Sequence, residues 1–374
     1  MRKSYSIYDT YSAIRKRLAD YIKSDYLANS ETLLKYTDEL VGGDGVHNFG
    51  IAREPYIETA AAYKKSLNGI INADIDVKVK KVLSELTKEN LGFYENPFTH
   101  QIQALEAFAR GKDIFVSTGT GSGKTECFMW PIIYKALFEA IYSPNVFKNN
   151  AVRTLIIYPM NALVSDQLAR FRKMLGSENF KNIFANATKA ARIPCFGMYT
   201  GRTAYSGDSK SIENKRLAEA FKKNYIVNPT LPIHELRAAE ERLAGLKRIN
   251  KYPAKYGEDG LKRFIENLEN GIHTPNPFDA ELITRFETQR QTPDILITNY
   301  SMLEYMLMRK REAKIWSDTA KWLNESADNK LLIVLDEAHM YQGSSGGEIA
   351  LLLTRLFSRL GADEKKIQFI IFRI

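Results

Sequence analysis

Short apolar runs alternate with amphipathic stretches over residues 96–202, and the same alternation resumes at residue 293. Ile114–Val116 and Leu331–Leu335 are two such runs, and each leads into small polar or acidic residues. Strands of a parallel sheet have this pattern, because helices cover both faces of the sheet and bury nearly every strand residue. The pattern therefore predicts an α/β fold, a parallel sheet with flanking helices, over residues 96–374.

The first 95 residues follow a helical spacing instead. Apolar side chains recur one helical turn apart at Tyr11, Ile14, Leu18 and Ile22, and a second apolar group follows at residues 33–40. A glycine-rich stretch at residues 41–45 divides the region. We expect residues 1–95 to form a mainly helical N-terminal accessory region that packs on the α/β domain rather than on nucleic acid.

Residues 203–290 interrupt the α/β alternation. The segment is polar and rich in Lys, Arg and Glu, with helical stretches such as Glu235–Lys247 and Leu261–Leu268. Acidic residues are interspersed with its basic pairs, which are Lys222–Lys223, Lys247–Arg248 and Lys262–Arg263. We interpret the segment as a charged helical insertion whose basic residues form a solvated surface rather than a nucleic-acid contact.

The stretch Ser117–Thr125 (STGTGSGKT) lies between an apolar strand and a helix start. Its glycines let backbone N–H groups turn toward an anion, and the helix N-terminus adds partial positive charge. Lys124 is placed to reach the β- and γ-phosphates of a nucleotide, and the Thr125 hydroxyl is placed to hold Mg²⁺. The pattern G-x-x-x-x-G-K-[ST] has Thr118 at its first position instead of glycine. The predicted phosphate-binding loop (P-loop, or Walker A) consists of Thr118, Gly119, Thr120, Gly121, Ser122, Gly123, Lys124 and Thr125.

The second half of the predicted site is the acidic end of the run Leu331–Leu335. Asp336 and Glu337 open a DEAH tetrad at the carboxyl end of a buried strand, the edge at which α/β sheets bind ligands. Asp336 can bind Mg²⁺, and Glu337 can orient and deprotonate the attacking water. An acidic strand end alone is as often a solvated surface. Combined with the P-loop, it predicts ATP hydrolysis with Lys124, Asp336 and Glu337 as the catalytic residues and Thr125 and Asp336 as the metal ligands.

The P-loop, the DEAH tetrad and the strand order between them resemble the first RecA-like motor domain of a superfamily 2 DEAD/DEAH-box helicase. In that family a Gln motif before the P-loop contacts adenine, and Pro97–Gln101 (PFTHQ) is similar to it. The resemblance implies a hydrogen bond from Gln101 to adenine, with Phe98 or Tyr94 as a stacking partner. It also implies ATP and Mg²⁺ as cofactors.

Three further turns resemble the nucleic-acid motifs Ia, Ib and Ic of that family, at residues 158–167, 199–202 and 295–303. Each sets small polar groups and backbone N–H groups at a strand-to-helix turn, which suits contacts to phosphate and sugar rather than to bases. The resemblance implies single-stranded nucleic acid as a partner, bound by Pro159, Asn161, Thr200, Gly201, Arg202, Thr298, Asn299 and Ser301.

Residues 340–356, directly after the tetrad, are similar to the matching segment of two helicase groups. One is the bacterial DNA helicases of the mitomycin-repair and RecQ-4-related group, and the other is the large helicases of anti-phage defence systems. The resemblance spans about residues 97–372. It implies a DNA helicase, with DNA a better expectation than RNA, in genome defence or repair.

Charge and cysteine content narrow the setting. The 374 residues include 53 Lys and Arg against 44 Asp and Glu, a formal net charge of +9, which favours an anionic partner and nucleic acid before a membrane. Two cysteines, Cys127 and Cys195, provide neither a disulfide framework nor a zinc cluster. The sequence shows no secretory signal and no apolar run of the roughly 20 residues that span a bilayer. We expect a cytoplasmic protein.

Ile367–Phe372 has the pattern of another buried strand, and in the family a Ser-Ala-Thr motif follows it. Arg373 and Ile374 stand there instead. We therefore expect a second RecA-like domain, absent from these residues, to come from a longer form of the protein or from a partner subunit.

The favoured hypothesis is the ATP-binding motor half of a superfamily 2 DNA helicase or translocase that is weak or inactive as an isolated chain. The alternative is a truncated or regulatory nucleotide-dependent nucleic-acid-binding module with negligible ATPase activity. A small-molecule kinase shares the P-loop, but it leaves the DEAH tetrad and the three turns unexplained.

Overall fold

The computed structural model describes residues 6–36, 41, 50–51, 62–67, 69–119, 121–204, 211–230, 232–257 and 259–373, with the backbone alone described at residues 161–166 and 211–212. The chain forms two compact units, Met1–Ala62 and Tyr63–Ile374. The sequence pattern predicts a boundary near residue 95. In the structure, residues of the segment 69–95 such as Val79 and Phe93 share an apolar core with the strands of the sheet.

The first unit contains two described helices. Helix α1 (Ile7–Ile22) begins at a capping box, in which the Ser6 and Asp9 side chains accept hydrogen bonds from each other's backbone N–H groups. A π-helical segment, Lys23–Leu27, continues it, and Ser30 caps helix α2 (Glu31–Lys35). Most of the predicted glycine-rich break, residues 42–45, lies outside the described residues.

The second unit alternates strands and helices along the chain. Its strands are β1 (Ile114–Ser117), β2 (Thr154–Tyr158), β3 (Phe196–Tyr199), β4 (Glu281–Leu282), β5 (Ile295–Asn299), β6 (Leu331–Leu335) and β7 (Ile367–Arg373). Its α-helices are α3 (Val77–Lys88), α4 (Thr99–Ala109), α5 (Glu126–Tyr142), α6 (Pro144–Phe147), α7 (Asn161–Leu175), α8 (Glu178–Thr188), α9 (Ser211–Tyr225), α10 (Ile233–Arg248), α11 (Gly260–Glu269), α12 (Arg285–Arg290), α13 (Tyr300–Met308), α14 (Ala313–Glu325) and α15 (Ser344–Leu360). Short 3₁₀ turns occupy Gly69–Asn72, Lys310–Glu312, Ala338–Met340 and Glu364–Lys366.

The seven strands form one parallel sheet in the order β1-β7-β6-β2-β5-β3-β4. Strand β6 is paired on both sides: Leu335 is the register partner of Ile157 in β2 and of Ile371 in β7. Strand β1 lies at one edge, where Ser117 is the register partner of Arg373. The parallel sheet with helices between its strands confirms the α/β fold predicted from the sequence, a RecA-like architecture.

Alternate residues of the central strands β2, β5 and β6 face opposite layers of helices. In β2, Ile156 and Tyr158 pack into the core that includes Trp130, whereas Leu155 and Ile157 pack into a second core on the other face. All five residues of β2 are buried for this reason, and the strand reads as an unbroken apolar run. Each fully buried Leu or Ile contributes roughly 1.5–3 kcal/mol to folding before the entropy cost is counted.

The predicted insertion contains the expected helices, since α10 and α11 cover Glu235–Lys247 and Leu261–Leu268. It also contributes a strand that the sequence pattern did not indicate. Glu281–Leu282 (β4) pairs with β3 at the far edge of the sheet, and Arg172 of α7 holds Glu281 through a salt bridge of 2.6 Å. The end of the segment is therefore an integral part of the sheet.

Two of the basic pairs in this segment are engaged in surface ion pairs. Lys222 bonds Glu269 at 2.6 Å, and Lys262 bonds Asp259 at 2.9 Å. Arg263 donates to the backbone oxygen of Tyr256 at 2.7 Å. This arrangement agrees with a solvated charged surface.

A buried ionic network fixes the amino ends of β2 and β5. Arg153 bonds Glu139 at 2.6 Å and Asp294 at 2.8 Å, and Arg192 bonds Asp294 at 2.6 Å. All four side chains are buried. Burial alone would raise the pKa of Asp294, but the two guanidinium groups outweigh it and lower that pKa. The network therefore lies at the amino ends of the strands, whereas the P-loop and the DEAH residues follow the carboxyl ends.

Candidate nucleotide site and nucleic-acid edge

The loop after β1 curls directly into the N-terminus of α5. Gly121 and Gly123 have φ angles of 74° and 73°, a region that residues with a Cβ rarely adopt. The Thr118 and Ser122 hydroxyls are 2.7 Å apart, so Thr118 supplies a cross-loop hydrogen bond where the common pattern has glycine. Thr120 lies outside the described residues. The described part of the loop thus has the strand-turn-helix geometry of an anion cradle.

Two side chains from the start of α4 bond backbone oxygens of this loop. His100 Nε2 lies 2.9 Å from the Ser122 oxygen, and Gln101 Nε2 donates to the Gly123 oxygen at 3.0 Å. Gln101 Oε1 accepts from the Phe98 N–H at 2.9 Å, and the side chain is buried. Both polar atoms of Gln101 are therefore occupied by the protein itself. Its contact with adenine stays a prediction that requires these bonds to exchange.

The aromatic candidates for stacking differ in accessibility. Phe98 is half-buried and stacks on His100 with ring centroids 5.6 Å apart. Tyr94 is exposed, and its hydroxyl reaches Glu126 Oε1 at 3.5 Å. Tyr63 lies against the loop, with its hydroxyl 3.1 Å from the point that a Cβ on Gly119 would occupy.

The DEAH residues lie beyond the carboxyl end of β6. The Glu337 N–H donates to Asp336 Oδ1 at 2.9 Å. Burial is the largest influence on Asp336 and raises its pKa, with the charge of Glu337 adding to the rise, whereas the Glu337 N–H and the Lys124 ammonium oppose it. The structure therefore brings Lys124 of the P-loop and Asp336 within electrostatic reach, although 212 residues separate them in sequence.

Several buried polar atoms around these residues have no hydrogen-bond partner among the described residues. They are Tyr158 Oη, Gln167 Oε1, Glu337 Oε2, His339 Nδ1 and Tyr341 Oη. The charge of Asp336 raises the pKa of both tyrosines, after the larger effect of burial. His339 Nδ1 lies 3.2 Å from Glu337 Oε2 but is not aligned for a hydrogen bond. Buried polar groups need partners, so this cluster fits a site that a polar ligand and water complete.

The residues present also fit a magnesium ion that is bound together with a nucleotide. No group of three or more His, Cys, Asp or Glu side chains could hold a metal ion by itself in the part of the chain that the structure describes. Mg²⁺ commonly takes only one or two protein ligands and completes its shell with phosphate oxygens and water. Thr125 and Asp336 would supply those ligands here.

The three turns that resemble nucleic-acid motifs follow β2, β3 and β5, which are adjacent in the sheet. Tyr158 of β2 is the register partner of Asn299 of β5, and Tyr199 of β3 is the partner of Thr298. The carboxyl ends of parallel strands lie on the same side of the sheet, so the three turns are neighbours although they are far apart in sequence. They lie next to the carboxyl end of β6, where the DEAH tetrad begins.

The predicted nucleic-acid residues divide by exposure along this edge. Gly201, Arg202 and Ser301 are exposed, and Pro159 is half-buried. The remaining side chains support the turns: the Thr298 hydroxyl donates to the Tyr199 oxygen at 2.7 Å, Thr200 Oγ1 accepts from the Arg202 N–H at 3.2 Å, and Asn299 Oδ1 accepts from the Met302 N–H at 2.8 Å. Thr200 and Thr298 are buried, and the side chain of Asn161 lies outside the described residues.

Residues 98–241 match the DEAD/DEAH box helicase family. The chain is 37% identical, over 388 aligned positions, to Druantia protein DruE of Escherichia coli strain UMEA 4076-1. This alignment covers 98% of the chain and 20% of DruE. The chain contains a DEAD/DEAH box helicase domain.

A second relative of this helicase domain is named as an uncharacterized ATP-dependent helicase, MJ1574 of Methanocaldococcus jannaschii. It is 23% identical over 290 residues, which is 78% of the chain and 27% of MJ1574. The chain thus spans about a fifth of DruE and about a quarter of MJ1574.

Solved helicase structures are similar at a low level. The crystal structure of the DUF1998 helicase MrfA bound to DNA and AMPPNP is 17% identical with a TM-score of 0.40, covering 84% of the chain and 27% of MrfA. The DEAD-box helicase Mss116 bound to ssRNA and UDP-BeF is 13% identical with a TM-score of 0.40, covering 83% of the chain and 41% of Mss116.

The structure adds residues to the helicase site that the sequence did not single out. His100 holds the P-loop, and Gln167 Nε2 donates to Thr125 Oγ1 at 3.5 Å. Glu126 and Arg170 form an ion pair of 2.9 Å beside the loop. Two of these residues could have been suspected from their positions in the sequence. Glu126 directly follows the Gly-Lys-Thr triplet, and Gln167 is the last residue of the stretch that resembles motif Ia. Nothing in the sequence distinguishes Arg170 from other surface arginines.

None of the helices in the described ranges is long and apolar enough to cross a membrane. Cys127 and Cys195 are both buried as free thiols, and burial raises the pKa of each to about 12. Neither thiol is therefore a nucleophile at neutral pH.

Proposed function

We propose that this chain is the ATP-binding motor half of a superfamily 2 DNA helicase or translocase, in which ATP hydrolysis is coupled to movement on nucleic acid. One observation carries the proposal: the P-loop, the DEAH residues and the three nucleic-acid-like turns all follow strands that end at one edge of a single parallel sheet. Ligands bind at this edge in open α/β sheets. The unpartnered buried polar atoms at the ends of β2 and β6 support a ligand site there.

In this proposal, the loop N–H groups and the Lys124 ammonium bind the terminal phosphates of ATP. Thr125 and Asp336 hold Mg²⁺, which neutralises phosphate charge when it is bound. Glu337 orients the attacking water and accepts its proton, and His339 lies beside the Glu337 carboxylate at 3.2 Å. Gln101 holds the loop through Gly123 in addition to any contact with adenine.

Single-stranded nucleic acid lies along the turns after β2, β3 and β5, where Arg202 and Ser301 are exposed and Pro159 is half-buried. DNA as the substrate, and genome defence or repair as the setting, are further parts of the proposal. They rest on the resemblance of residues 340–356 and on the similarity to DruE. A cytoplasmic location and a second RecA-like domain that completes the cleft also belong to the proposal.

The test is nucleotide binding followed by a fluorescent ATP analogue. Wild-type protein should bind the analogue in a Mg²⁺-dependent manner, and Lys124→Ala should weaken binding at least about tenfold, because charge-assisted hydrogen bonds are worth about 1.5–3 kcal/mol each. Lys112, which lies before β1 rather than in the loop, provides the matched control Lys112→Ala. Equal affinity of wild type and Lys124→Ala, with both proteins folded, would remove the basis of the proposal.

A further inference from the structure

A buried carboxylate lies directly beside the phosphate-binding loop. Glu126, the first residue of α5, is only 7% exposed, and its Oε2 lies 3.1 Å from the point that a Cβ on Gly123 would occupy. A buried carboxylate without a counter-charge is costly, and its charge would also repel a triphosphate in the loop. Arg170 provides the counter-charge, since its Nη1 donates to Glu126 Oε1 at 2.9 Å.

Arg170 belongs to helix α7, which begins at Asn161, immediately after the turn that resembles motif Ia. Gln167, one helical turn before Arg170, donates to the Thr125 hydroxyl at 3.5 Å. One helix therefore has its N-terminus at the predicted strand-binding turn, and two of its side chains contact Thr125, the last residue of the P-loop, and Glu126, which follows it. The distance from residue 161 to residue 170 along a helix is about 13 Å.

The two side chains of the ion pair differ in exposure. The Arg170 side chain is 48% exposed, whereas the Glu126 side chain is 9% exposed. Arg170 can therefore move toward solvent without leaving a buried guanidinium unpaired, and the cost of opening falls on the Glu126 carboxylate. An open pair leaves negative charge beside the phosphates, and a closed pair neutralises it.

We propose that Arg170 and Glu126 are a positioning pair through which binding of nucleic acid and binding of ATP strengthen each other. This inference rests on the proposed function. A phosphate of the strand at the N-terminus of α7 favours the helix position in which Arg170 closes on Glu126. The closed pair favours the triphosphate, and by linkage the triphosphate favours the strand by the same factor.

The experiment measures the dissociation constant of a fluorescent single-stranded DNA oligonucleotide with and without saturating AMPPNP and Mg²⁺. The ratio of the two constants is the coupling factor, which we expect to be at least about fivefold in the wild-type chain. Arg170→Gln should reduce the coupling factor below about twofold and weaken AMPPNP binding roughly tenfold, because it leaves Glu126 uncompensated.

Glu126→Gln provides a second test that does not leave a buried charge. It should keep or improve AMPPNP affinity and still reduce the coupling factor, because the amide no longer holds the guanidinium by charge. The double variant Glu126→Gln/Arg170→Gln should regain most of the AMPPNP affinity that Arg170→Gln loses, without regaining the coupling. Arg170→Lys, which retains the charge, should retain part of the coupling.

Arg172→Gln is the matched control on the same helix. Arg172 pairs with Glu281 of β4 at 2.6 Å, away from the P-loop, so its loss removes a comparable ion pair and should leave the coupling factor unchanged. Thermal unfolding of each variant shows that it is folded.

Three results would overturn the positioning role: an unchanged coupling factor in Glu126→Gln and Arg170→Gln, equal losses in Arg170→Gln and Arg172→Gln, or a wild-type chain that binds both ligands without coupling. A wild-type chain that binds neither AMPPNP nor the oligonucleotide would instead contradict the proposed function, and the positioning role would fall with it.

Discussion

Glu337 donates its backbone N–H to the Asp336 carboxylate at 2.9 Å while its own backbone adopts the left-handed conformation, with φ of 50°. A residue with a Cβ in this conformation costs roughly 1–3 kcal/mol, and the cost persists only where the surroundings impose it. Here the strained residue stands at the end of β6, between a metal-ligand candidate and the 3₁₀ turn Ala338–Met340. Strain at this point is consistent with a carboxylate that is positioned for chemistry rather than for stability.

Replacement of Glu337 should separate binding from hydrolysis. Glu337→Gln should bind ATP with near wild-type affinity and reduce single-turnover hydrolysis by about 10²–10⁴-fold, the usual contribution of a general base. Glu337→Gly should lose hydrolysis to a similar degree but raise the free energy of unfolding, because glycine relieves the left-handed strain. Quench-flow with radiolabelled ATP and thermal denaturation measure the two effects. Unimpaired hydrolysis by both variants would assign the base elsewhere.

Asp336 should make stability fall as the pH rises. Its pKa is raised, chiefly by burial, so the folded chain holds a proton on Asp336 at pH values where the unfolded chain has lost it. Stability is therefore lost between the ordinary carboxyl pKa and the raised one, and at neutral pH the buried charge destabilises the fold.

Asp336→Asn should accordingly raise the Tm at pH 7 relative to wild type, and the difference should shrink as the pH is lowered through this window. The same variant should lose the Mg²⁺ dependence of nucleotide binding. A Tm that is lower than that of wild type at pH 7 would contradict the destabilising role.

Asp294 should behave in the opposite way. Arg192 and Arg153 hold its pKa below the ordinary value against the effect of burial, so its contribution to stability is present above the unfolded pKa and is lost as the pH falls through the folded one. Asp294→Asn should cost about 3–5 kcal/mol, because it leaves two buried guanidinium groups undercompensated. Asp74→Asn, which breaks an exposed pair with Arg110, should change the free energy of unfolding far less, because solvent screens that pair. Urea denaturation compares them, and equal costs would show that the buried network is not needed for stability.

Structural features that depend on a short stretch of residues could be predicted from the sequence. Strand β6 is buried on both faces, so its apolar run Leu331–Leu335 predicted a strand of a parallel sheet directly. The Gly-Lys-Thr loop was readable because its conformation depends on glycines at fixed positions, and Gly121 and Gly123 do adopt positive φ.

Features that depend on tertiary contacts could not be predicted from the sequence. Glu281–Leu282 joins the sheet, but a strand of two residues is too short to show a periodic pattern. The charged helices that precede it in sequence led us to interpret the whole segment as an insertion. The Arg170–Glu126 pair spans 44 residues and depends on how α7 lies against α5. The bond from Gln101 to the Gly123 oxygen likewise depends on how α4 lies against the loop, and the adenine contact of Gln101 stays a prediction.

Arg202 should contribute to nucleic-acid affinity through charge. It is exposed in the turn after β3, and a single phosphate contact on single-stranded DNA contributes about −0.7 to the slope of log affinity against log salt. Many of the other predicted contacts are neutral groups, so the wild-type slope should be shallow, roughly −1 to −3.

Arg202→Ala should make that slope shallower by about 0.7 and weaken binding equally for unrelated sequences. Fluorescence anisotropy at several salt concentrations measures both quantities. Arg263→Ala, in the charged surface of α11, is the control and should leave the slope as it is. A sequence-specific loss in Arg202→Ala would indicate a base contact instead.

The role of Gln101 can be separated into loop support and adenine recognition. Its Nε2 donates to the Gly123 oxygen at 3.0 Å, so Gln101→Ala removes a hydrogen bond that shapes the P-loop itself. We expect the affinities for ATP and GTP to fall together, by about 2–12-fold, the equivalent of 0.5–1.5 kcal/mol for one hydrogen bond. An adenine contact alone would weaken ATP binding and leave GTP binding unchanged.

Competition titrations with both nucleotides, in wild type and in Gln101→Ala, measure the two affinities under the same conditions. His100→Ala is the matched variant, because His100 Nε2 lies 2.9 Å from the neighbouring Ser122 oxygen and the family resemblance gives it no adenine contact. It should weaken both nucleotides in the same proportion. If Gln101→Ala weakens ATP alone while His100→Ala weakens both, Gln101 leaves the loop when nucleotide binds and contacts adenine, and the hydrogen bond to Gly123 belongs only to the nucleotide-free state.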